Sequence, residues 1–204
     1  GLFISYIVAN SLVSLWLLYK IDYFKLIKFK GINKKKTKEM IKYSFPLVPN
    51  SISWNAISLT DRLLITNILN DGMNGIYSVA NRFPTIINTC YSYFNISWKE
   101  SASKVVNKED KNEFYNSVYI NLRHFLICVS ILLIAILPFI FNLLIKNAYR
   151  EAYNYIPIMV MNVYFSNLSN FSSGIFSAYK DTKILATTTI VAALINFFIG
   201  FILI

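Results

Sequence analysis

Long apolar segments follow one another along most of the chain, and they constrain its fold more than any other feature. The first, LFISYIVANSLVSLWLLY at residues 2–19, contains no charged residue. At about 1.5 Å per helical residue, it is long enough to cross a hydrocarbon core roughly 30 Å thick. With 55% hydrophobic and 15% charged residues, the chain also lies outside the usual composition of soluble domains. The pattern predicts an all-α integral membrane protein.

Six such segments predict a polytopic bundle of six transmembrane helices. We place them at residues 1–19, 43–69, 75–98, 116–145, 152–179 and 183–204. The interruptions between the last five are short, so consecutive helices are expected to run in opposite directions across the membrane. Gly1 in place of an initiator Met, and an apolar run that continues to residue 204, lead us to expect an internal part of a longer multi-span protein.

Lysines are concentrated in one interruption, residues 20–42, which holds nine lysines against Asp22 and Glu39. An excess of basic residues is typical of cytoplasmic loops, so this segment is predicted to be cytoplasmic. The other loops alternate accordingly, since residues 70–74 carry no Lys or Arg and residues 99–115 carry four lysines. Membrane topology therefore accounts for the net charge of +10, and no nucleic-acid partner is needed to explain it.

Residues that support enzyme chemistry are sparse in this sequence. Cys90 and Cys128 lie inside predicted spans, where a free cysteine behaves as a small apolar residue, and His124 is the only histidine. The sequence contains no nucleophile paired with a base, no metal-ligand cluster and no glycine-rich phosphate loop. We therefore expect no catalytic residue, no metal site and no enzyme activity.

Two adjacent ionisable residues, Asp61 and Arg62, lie deep in the second predicted span. An ionisable side chain at membrane depth is costly, and it usually faces a bundle interior or a watery cavity and has a partner there. If the hairpin turn lies between Asp71 and Gly72, Arg82 is level with Asp61, and Asn81 is level with Arg62. The sequence thus predicts a polar layer of four residues close to the middle of the membrane.

One face of the second span is polar and aromatic along much of its length. At 100° per residue, Asn50, Trp54 and Asp61 fall within about 40° of one another. Pro46 and Pro49 near the predicted cytoplasmic end favour a bend. This face suits the wall of a transport cavity, but a structural Asp61–Arg82 pair, or polar side chains that hold helices together, explain the same residues.

The fifth span is unusually rich in small and polar residues, which predicts that it packs against other helices or lines water. Aromatic residues near the predicted ends of spans, among them Trp98 and Tyr115, fit the belts that anchor helices at membrane interfaces. Both expectations concern what the helices contact, and neither changes the predicted bounds of the spans.

Two stretches resemble the central region of bacterial polysaccharide-biosynthesis flippases, the Wzx-type O-antigen transporters. They read KEMIKYSFPLVPNSISWNAISLTDRLLI and NGIYSVANRFPTIINTCYSYFNISWKESASK. The resemblance is carried by Tyr-Ser-x-Pro-Leu-x-Pro at residues 43–49, Asp61-Arg62, Gly-Ile-Tyr-Ser-Val-Ala at residues 75–80, a basic residue and then Pro84, and Trp98 at the end of the hairpin.

The resemblance implies a fold of the multidrug/oligosaccharidyl-lipid/polysaccharide superfamily, a MATE-like transporter with two helical lobes around a central cavity. Residues 1–19 are then the last helix of the first lobe, residues 20–42 the connection between lobes, and residues 43–204 most of the second lobe. The implied substrate is a sugar repeat unit on undecaprenyl pyrophosphate, moved across the bacterial inner membrane. Membrane lipids and other polysaccharide assembly proteins are the implied partners.

The same resemblance gives the polar residues their implied roles. Arg62 and Arg82 would contact the pyrophosphate, and Asn50, Asn81 and Trp54 would contact sugar hydroxyls and faces. Asp61 would hold an arginine in place or exchange a coupling ion, H⁺ or Na⁺, and no other cofactor is expected.

Two alternatives remain open for the function. A drug or cation antiporter of the same superfamily would be expected to present more carboxylates in its spans. A membrane-embedded polymerase acting on lipid-linked sugars would need larger loops or an acidic metal motif.

Overall fold

The computed structural model describes residues 2–20, 33–145 and 149–203, and the regular elements in these ranges are all helices. The predicted all-α class is confirmed. The chain divides into two compact units, Gly1–Ile41 and Lys42–Ile204. Parts of two predicted loops, residues 21–32 and 146–148, lie outside the described residues.

The first unit contains helix α1 (Leu2–Lys20) and the beginning of helix α2 (Lys34–Ser44). On α1, Asn10 satisfies its amide group by donating to the carbonyl of Tyr6 at 2.8 Å. Asn33 begins α2 as an N-cap, because its Oδ1 atom accepts from the backbone N–H of Lys35 at 3.0 Å and of Lys36 at 3.4 Å. The end of the predicted basic loop is therefore helical, whereas its cytoplasmic position stays a prediction.

The second unit consists of five long helices joined by short connections. They are α3 (Leu47–Leu64), continued by a π-helical turn (Ile65–Leu69), α4 (Asp71–Val105), α5 (Lys111–Leu144), α6 (Ala152–Ala178) and α7 (Thr182–Leu203). Each corresponds to one predicted span. The largest difference is in α4, which is longer at both ends than the predicted 75–98, because Lys99–Val105 contains no glycine or proline that would end a helix.

The prolines Pro46 and Pro49 lie where α2 ends and α3 begins, and the bend predicted from them stays a prediction. Phe45 and Pro46 form a turn, in which the N–H of Val48 donates to the carbonyl of Phe45 at 3.3 Å. Pro49 falls in the first turn of α3, where the missing N–H would have had no partner within the helix. The two prolines therefore separate the basic helix from the apolar one without breaking α3.

Length and hydropathy alone identify three described helices that could cross a membrane, at Phe3–Lys20, Lys111–Phe141 and Thr182–Leu203. They support the prediction of an α-helical membrane protein. The other predicted spans correspond to α3, α4 and α6, which carry more polar side chains. For these three helices the crossing of the membrane stays a prediction from sequence.

Two pairs of helices in the second unit run parallel, namely α3 with α7 and α4 with α6. The hydroxyl of Thr182 donates to the Tyr43 carbonyl at 3.0 Å, and the hydroxyl of Thr189 lies 2.6 Å from Asn50 Oδ1, so both pairs are 139 residues apart in sequence. This constant separation means that α3 and α7 run in the same direction. Helices α4 and α6 are also parallel, since Gly75 packs near Tyr149 at one end and Trp98 packs near Gly174 at the other.

Helix α5 runs antiparallel to both α4 and α6 and covers their shared seam. At one end, the Phe141 ring lies 5.4 Å from the rings of both Phe83 and Tyr153. At the other end, the Tyr115 hydroxyl donates to the Ala102 carbonyl at 3.0 Å. The core of the second unit therefore lies between α4, α5 and α6.

The centre of that core is Trp98, whose side chain is 2% exposed. Its ring stacks on Phe171 with centroids 4.2 Å apart, and its Nε1–H donates to the Phe171 carbonyl at 2.9 Å. The ring fits because Gly174 has no Cβ on the facing turn of α6. The expectation that Trp98 and Tyr115 belong to an interfacial belt is therefore wrong, because both are buried between helices.

Candidate functional site

A polar cavity of about 250 Å³ lies between α3, α4, α6 and α7. It is at the end of the second unit where α3 and α7 begin and α4 and α6 end, which the charge pattern predicts to be cytoplasmic. Its lining includes Asn50 and Trp54 from α3, Asn95, Lys99 and Ser103 from α4, Asn170, Ser173 and Ser177 from α6, together with Tyr43, Leu47, Ala178 and Leu185. We call this space the polar cavity.

Residues from two polar features noted in the sequence lie together at the polar cavity. Asn50 and Trp54 of the predicted stripe both line it, and so do Asn170 and Ser173 of the polar fifth span. Asn50 also anchors α3 to α7 through Thr189. The stripe thus has a structural role in addition to its place on the cavity wall.

Sequence reasoning missed Lys99 as a residue of this site. It was assigned to a cytoplasmic loop, because it directly follows the predicted end of the third span. The signal was its spacing: Asn95, Lys99 and Ser103 recur every four residues and therefore share one face of α4 if the helix continues. Of the described side chains that line the polar cavity, only Lys99 carries a formal charge.

The hydrogen bond between Asn50 and Thr189 predicts a moderate effect of mutation on stability. Thr189→Val keeps the shape of the side chain and removes its hydroxyl, so we expect the free energy of unfolding to fall by about 0.5–1.5 kcal/mol. The measurement is unfolding of the purified protein in a denaturing detergent series. Thr187→Val is the matched control, because Thr187 is exposed and bonds only to its own helix. Equal effects of the two substitutions would contradict this role of Thr189.

A second polar cluster lies toward the opposite ends of α3 and α7. The side chains of Tyr77 on α4 and Asn196 on α7 lie beside the Asp61 carboxylate. Arg62 is near enough to Tyr77 to act on it electrostatically. The half-buried Asp61 thus faces polar side chains of two other helices, as expected of an ionisable group in an apolar bundle.

The structure corrects the predicted register of the α3–α4 hairpin. The residue between the π-helical turn and α4 is Asn70, which caps α4 by accepting from the N–H of Met73 at 2.8 Å, so Asp71 and Gly72 lie inside the helix. The residue of α4 that lies beside Asp61 is therefore Tyr77 and not Arg82. Arg82 is one to two helical turns further along α4, about 7 Å from Tyr77 at 1.5 Å per residue. In the described part of the chain, no ion pair joins Asp61 to Arg82.

Both arginines lie on exposed faces of their helices. On α3, the exposed polar residues Ser51, Asn55, Ser58 and Arg62 fall within about 60° of one another. On α4, Asn81, Thr85, Asn88 and Ser92 form a similar stripe, and Arg82 lies about 90° around the helix from the centre of this stripe. Asn81 is half-buried and Arg82 is exposed. Each helix thus has a packed face and a separate polar face.

The hydroxyl groups on these faces are weak evidence for a ligand, because they have partners within their own helices. Thr85 donates to the carbonyl of Asn81 at 2.7 Å, and Thr89 donates to the carbonyl of Thr85 at 2.9 Å. Such bonds let Ser and Thr sit in a membrane without another partner. The guanidinium groups have no equivalent, and Arg82 makes no hydrogen bond or ion pair with another residue in the ranges that the structure describes.

Comparison with known proteins supports one family. Residues 1–98 match the family model described as "Polysaccharide biosynthesis protein". The match includes α1, α2, α3 and α4 as far as Trp98, and therefore both arginines and the Asp61 cluster as far as Tyr77. The coarser part of the resemblance, to polysaccharide biosynthesis proteins, is thereby supported. Comparisons with curated proteins and with solved structures gave no significant match.

Proposed function

We propose, from the match of residues 1–98 to the polysaccharide biosynthesis family, that the protein is a flippase. It moves repeat units of O-antigen or another polysaccharide, carried on undecaprenyl pyrophosphate, across the bacterial inner membrane by alternating access. In this proposal the protein performs no covalent chemistry. Other polysaccharide assembly proteins would supply the repeat unit and use it after transport.

The observation that carries the proposal is the polar face on each of two adjacent helices of an apolar chain. Arg62 is exposed on the polar face of α3, and Arg82 is exposed beside the polar face of α4, although a charged side chain facing lipid at this depth would be costly. A water-filled transport cavity removes that cost, because the guanidinium groups stay hydrated until a substrate binds. The arginines thus suit a passage for a charged, hydrophilic headgroup.

The chemistry of the proposed substrate matches these side chains. A pyrophosphate presents several anionic oxygens, and a guanidinium binds such groups through paired, charge-assisted hydrogen bonds. Because Arg82 forms no ion pair with Asp61, its positive charge is available to a ligand. Asn81, beside Arg82, supplies both an acceptor and donors for sugar hydroxyls.

Deletion of the full-length gene tests the proposed function. We expect cells to lose surface polysaccharide while lipid-linked repeat units accumulate on the cytoplasmic leaflet of the inner membrane. Repeat units that reach the periplasm but stay unpolymerised would contradict the flippase and indicate a polymerase. A complementing copy of the gene is the control, and it should restore both readouts.

One observation favours a cation or drug antiporter as the second candidate. Asp61 lies beside the polar groups of Tyr77 and Asn196 and forms no ion pair with an arginine among the described residues, so it is suited to exchange a proton or bind Na⁺. In the flippase proposal the same residue would couple transport to such an ion. Wild-type surface polysaccharide in the deletion strain, together with increased drug sensitivity, would favour the antiporter.

A further inference from the structure

We propose that the polar cavity is a binding site for a single sugar residue together with the phosphate attached to it. The inference rests on the proposed function, because it assigns to this cavity the part of the substrate that enters first from the cytoplasm. It concerns a space inside the second unit, separate from the exposed faces that carry Arg62 and Arg82.

The lining has the chemistry that binds a sugar. Amide side chains come from three helices, namely Asn50 on α3, Asn95 on α4 and Asn170 on α6, and hydroxyls come from Ser173 and Ser177. Each amide offers both donors and acceptors, as neighbouring sugar hydroxyls require. Trp54, whose side chain is 42% exposed, adds an aromatic face on which the apolar side of a sugar ring can stack.

Asn95 gives an independent sign that this space suits a ligand. Its Oδ1 atom is buried and has no hydrogen-bond partner in the part of the chain that the structure describes. A buried polar atom left unpaired is costly, because it loses its hydrogen bonds to water. Because Asn95 lines the polar cavity, a sugar hydroxyl placed there would supply the missing donor after a small rotation of the amide.

Lys99 indicates that the sugar carries a negative group. Among the described residues that line the polar cavity, only Lys99 carries a formal charge. No described carboxylate forms an ion pair with its ammonium group. Lys104 on the same helix contrasts with it, because Lys104 pairs with Glu100 at 2.5 Å. That pairing also holds the pKa of the Glu100 carboxyl below its usual value. The charge of Lys99 remains available to a phosphate.

The size and position of the cavity limit what it can hold. A volume of about 250 Å³ is below the 300–1,000 Å³ of typical ligand pockets, so it suits one sugar and a phosphate and not a whole repeat unit. It lies at the predicted cytoplasmic end, where α4 and α6 end. A lipid-linked sugar on that side of the membrane would meet this cavity before it reached the middle of the bundle.

Trp54 makes the proposal measurable in the purified protein. Titration with glucose 1-phosphate is expected to give a saturable change in tryptophan fluorescence that is lost in Trp54→Phe. Lys99→Gln is expected to weaken the affinity about tenfold, because it removes a charge-assisted hydrogen bond. Lys104→Gln makes the same charge change outside the polar cavity and should leave the affinity unchanged. Lys99→Arg keeps the positive charge and should retain most of the wild-type affinity for glucose 1-phosphate.

Three results would overturn the proposal. One is the absence of any saturable response to glucose 1-phosphate. Another is an equal affinity for inorganic phosphate, which would show a simple anion site. The third is an equal loss of affinity in Lys99→Gln and Lys104→Gln. Glucose without phosphate serves as a comparison, and its weaker binding should not respond to Lys99→Gln.

The cellular assay separates this proposal from the proposed function. If deletion of the gene produces the flippase phenotype while Lys99→Gln binds glucose 1-phosphate like wild type, the cavity proposal fails alone. If glucose 1-phosphate binds and depends on Lys99, while deletion leaves lipid-linked repeat units unchanged, the flippase proposal fails and the sugar-phosphate site stands.

Discussion

Arg82→Ala is expected to abolish surface polysaccharide without loss of the protein from the membrane. Arg82 is exposed and has no partner among the described residues, so the folded state does not depend on it. The proposed transport does depend on it, because removal of one partner of a desolvated charge pair costs about 2–5 kcal/mol, or about 30-fold or more in affinity. The measurement is surface polysaccharide per cell, normalised to membrane-extracted protein.

Two companion variants make the Arg82 result specific. Arg82→Lys keeps the charge but loses paired hydrogen bonding, and should keep part of the activity. Arg123→Ala is the matched control, since Arg123 is also exposed but lies on α5, outside the polar faces of α3 and α4, and it should leave polysaccharide at the wild-type level. Normal polysaccharide in Arg82→Ala would remove this residue from the transport path.

Gly174→Ala is expected to cause a large loss of stability in the second unit. A Cβ atom at this position would lie 2.4 Å from Nε1 of Trp98, and Trp98 is held by stacking on Phe171 and by its hydrogen bond to the Phe171 carbonyl. The helices must move apart or the ring must turn, which costs about 1–3 kcal/mol for overpacking and about 1 kcal/mol more for the hydrogen bond.

Thermal unfolding of the detergent-solubilised protein measures the effect of Gly174→Ala. Gly75→Ala is the control, because its added Cβ would approach Tyr149 only to 3.3 Å and should cost much less. A Trp98→Phe substitution in the Gly174→Ala background should restore part of the loss, since the smaller ring relieves the contact. Additive effects of the two substitutions would show that they do not act through this contact.

The positions of the helices were predictable from hydropathy, because the sequence interpretation places each apolar run in a membrane, which would impose one strong requirement on it. An apolar run of sufficient length must be helical, since backbone groups in lipid have to bond within the segment. All five helices of the second unit therefore appear where they were predicted. The start of α3 next to Pro46 was predictable for the equally local reason that proline limits the backbone.

The contacts between helices were not predictable from the same pattern. The register of Arg82 was wrong because it depended on the centre of one turn, and the π-helical turn and the cap at Asn70 moved that centre by about two residues. The burial of Trp98 depends on the absence of a side chain at Gly174, which lies more than 70 residues away in sequence. Lys99 was missed because hydropathy locates the membrane boundary and not the end of the helix.

The parallel pairing of α3 with α7 has a consequence for biosynthesis. Helix α3 is complete at Leu64, and its partner begins only at Thr182. At 5–20 residues per second, a ribosome needs roughly ten seconds to make the intervening chain. During that interval Asn50 and Asp61 are already in α3, while Thr189 and Asn196 do not yet exist. The contacts that join α3 to α7 therefore form only after α7 has been made, later than contacts between the helices that precede it.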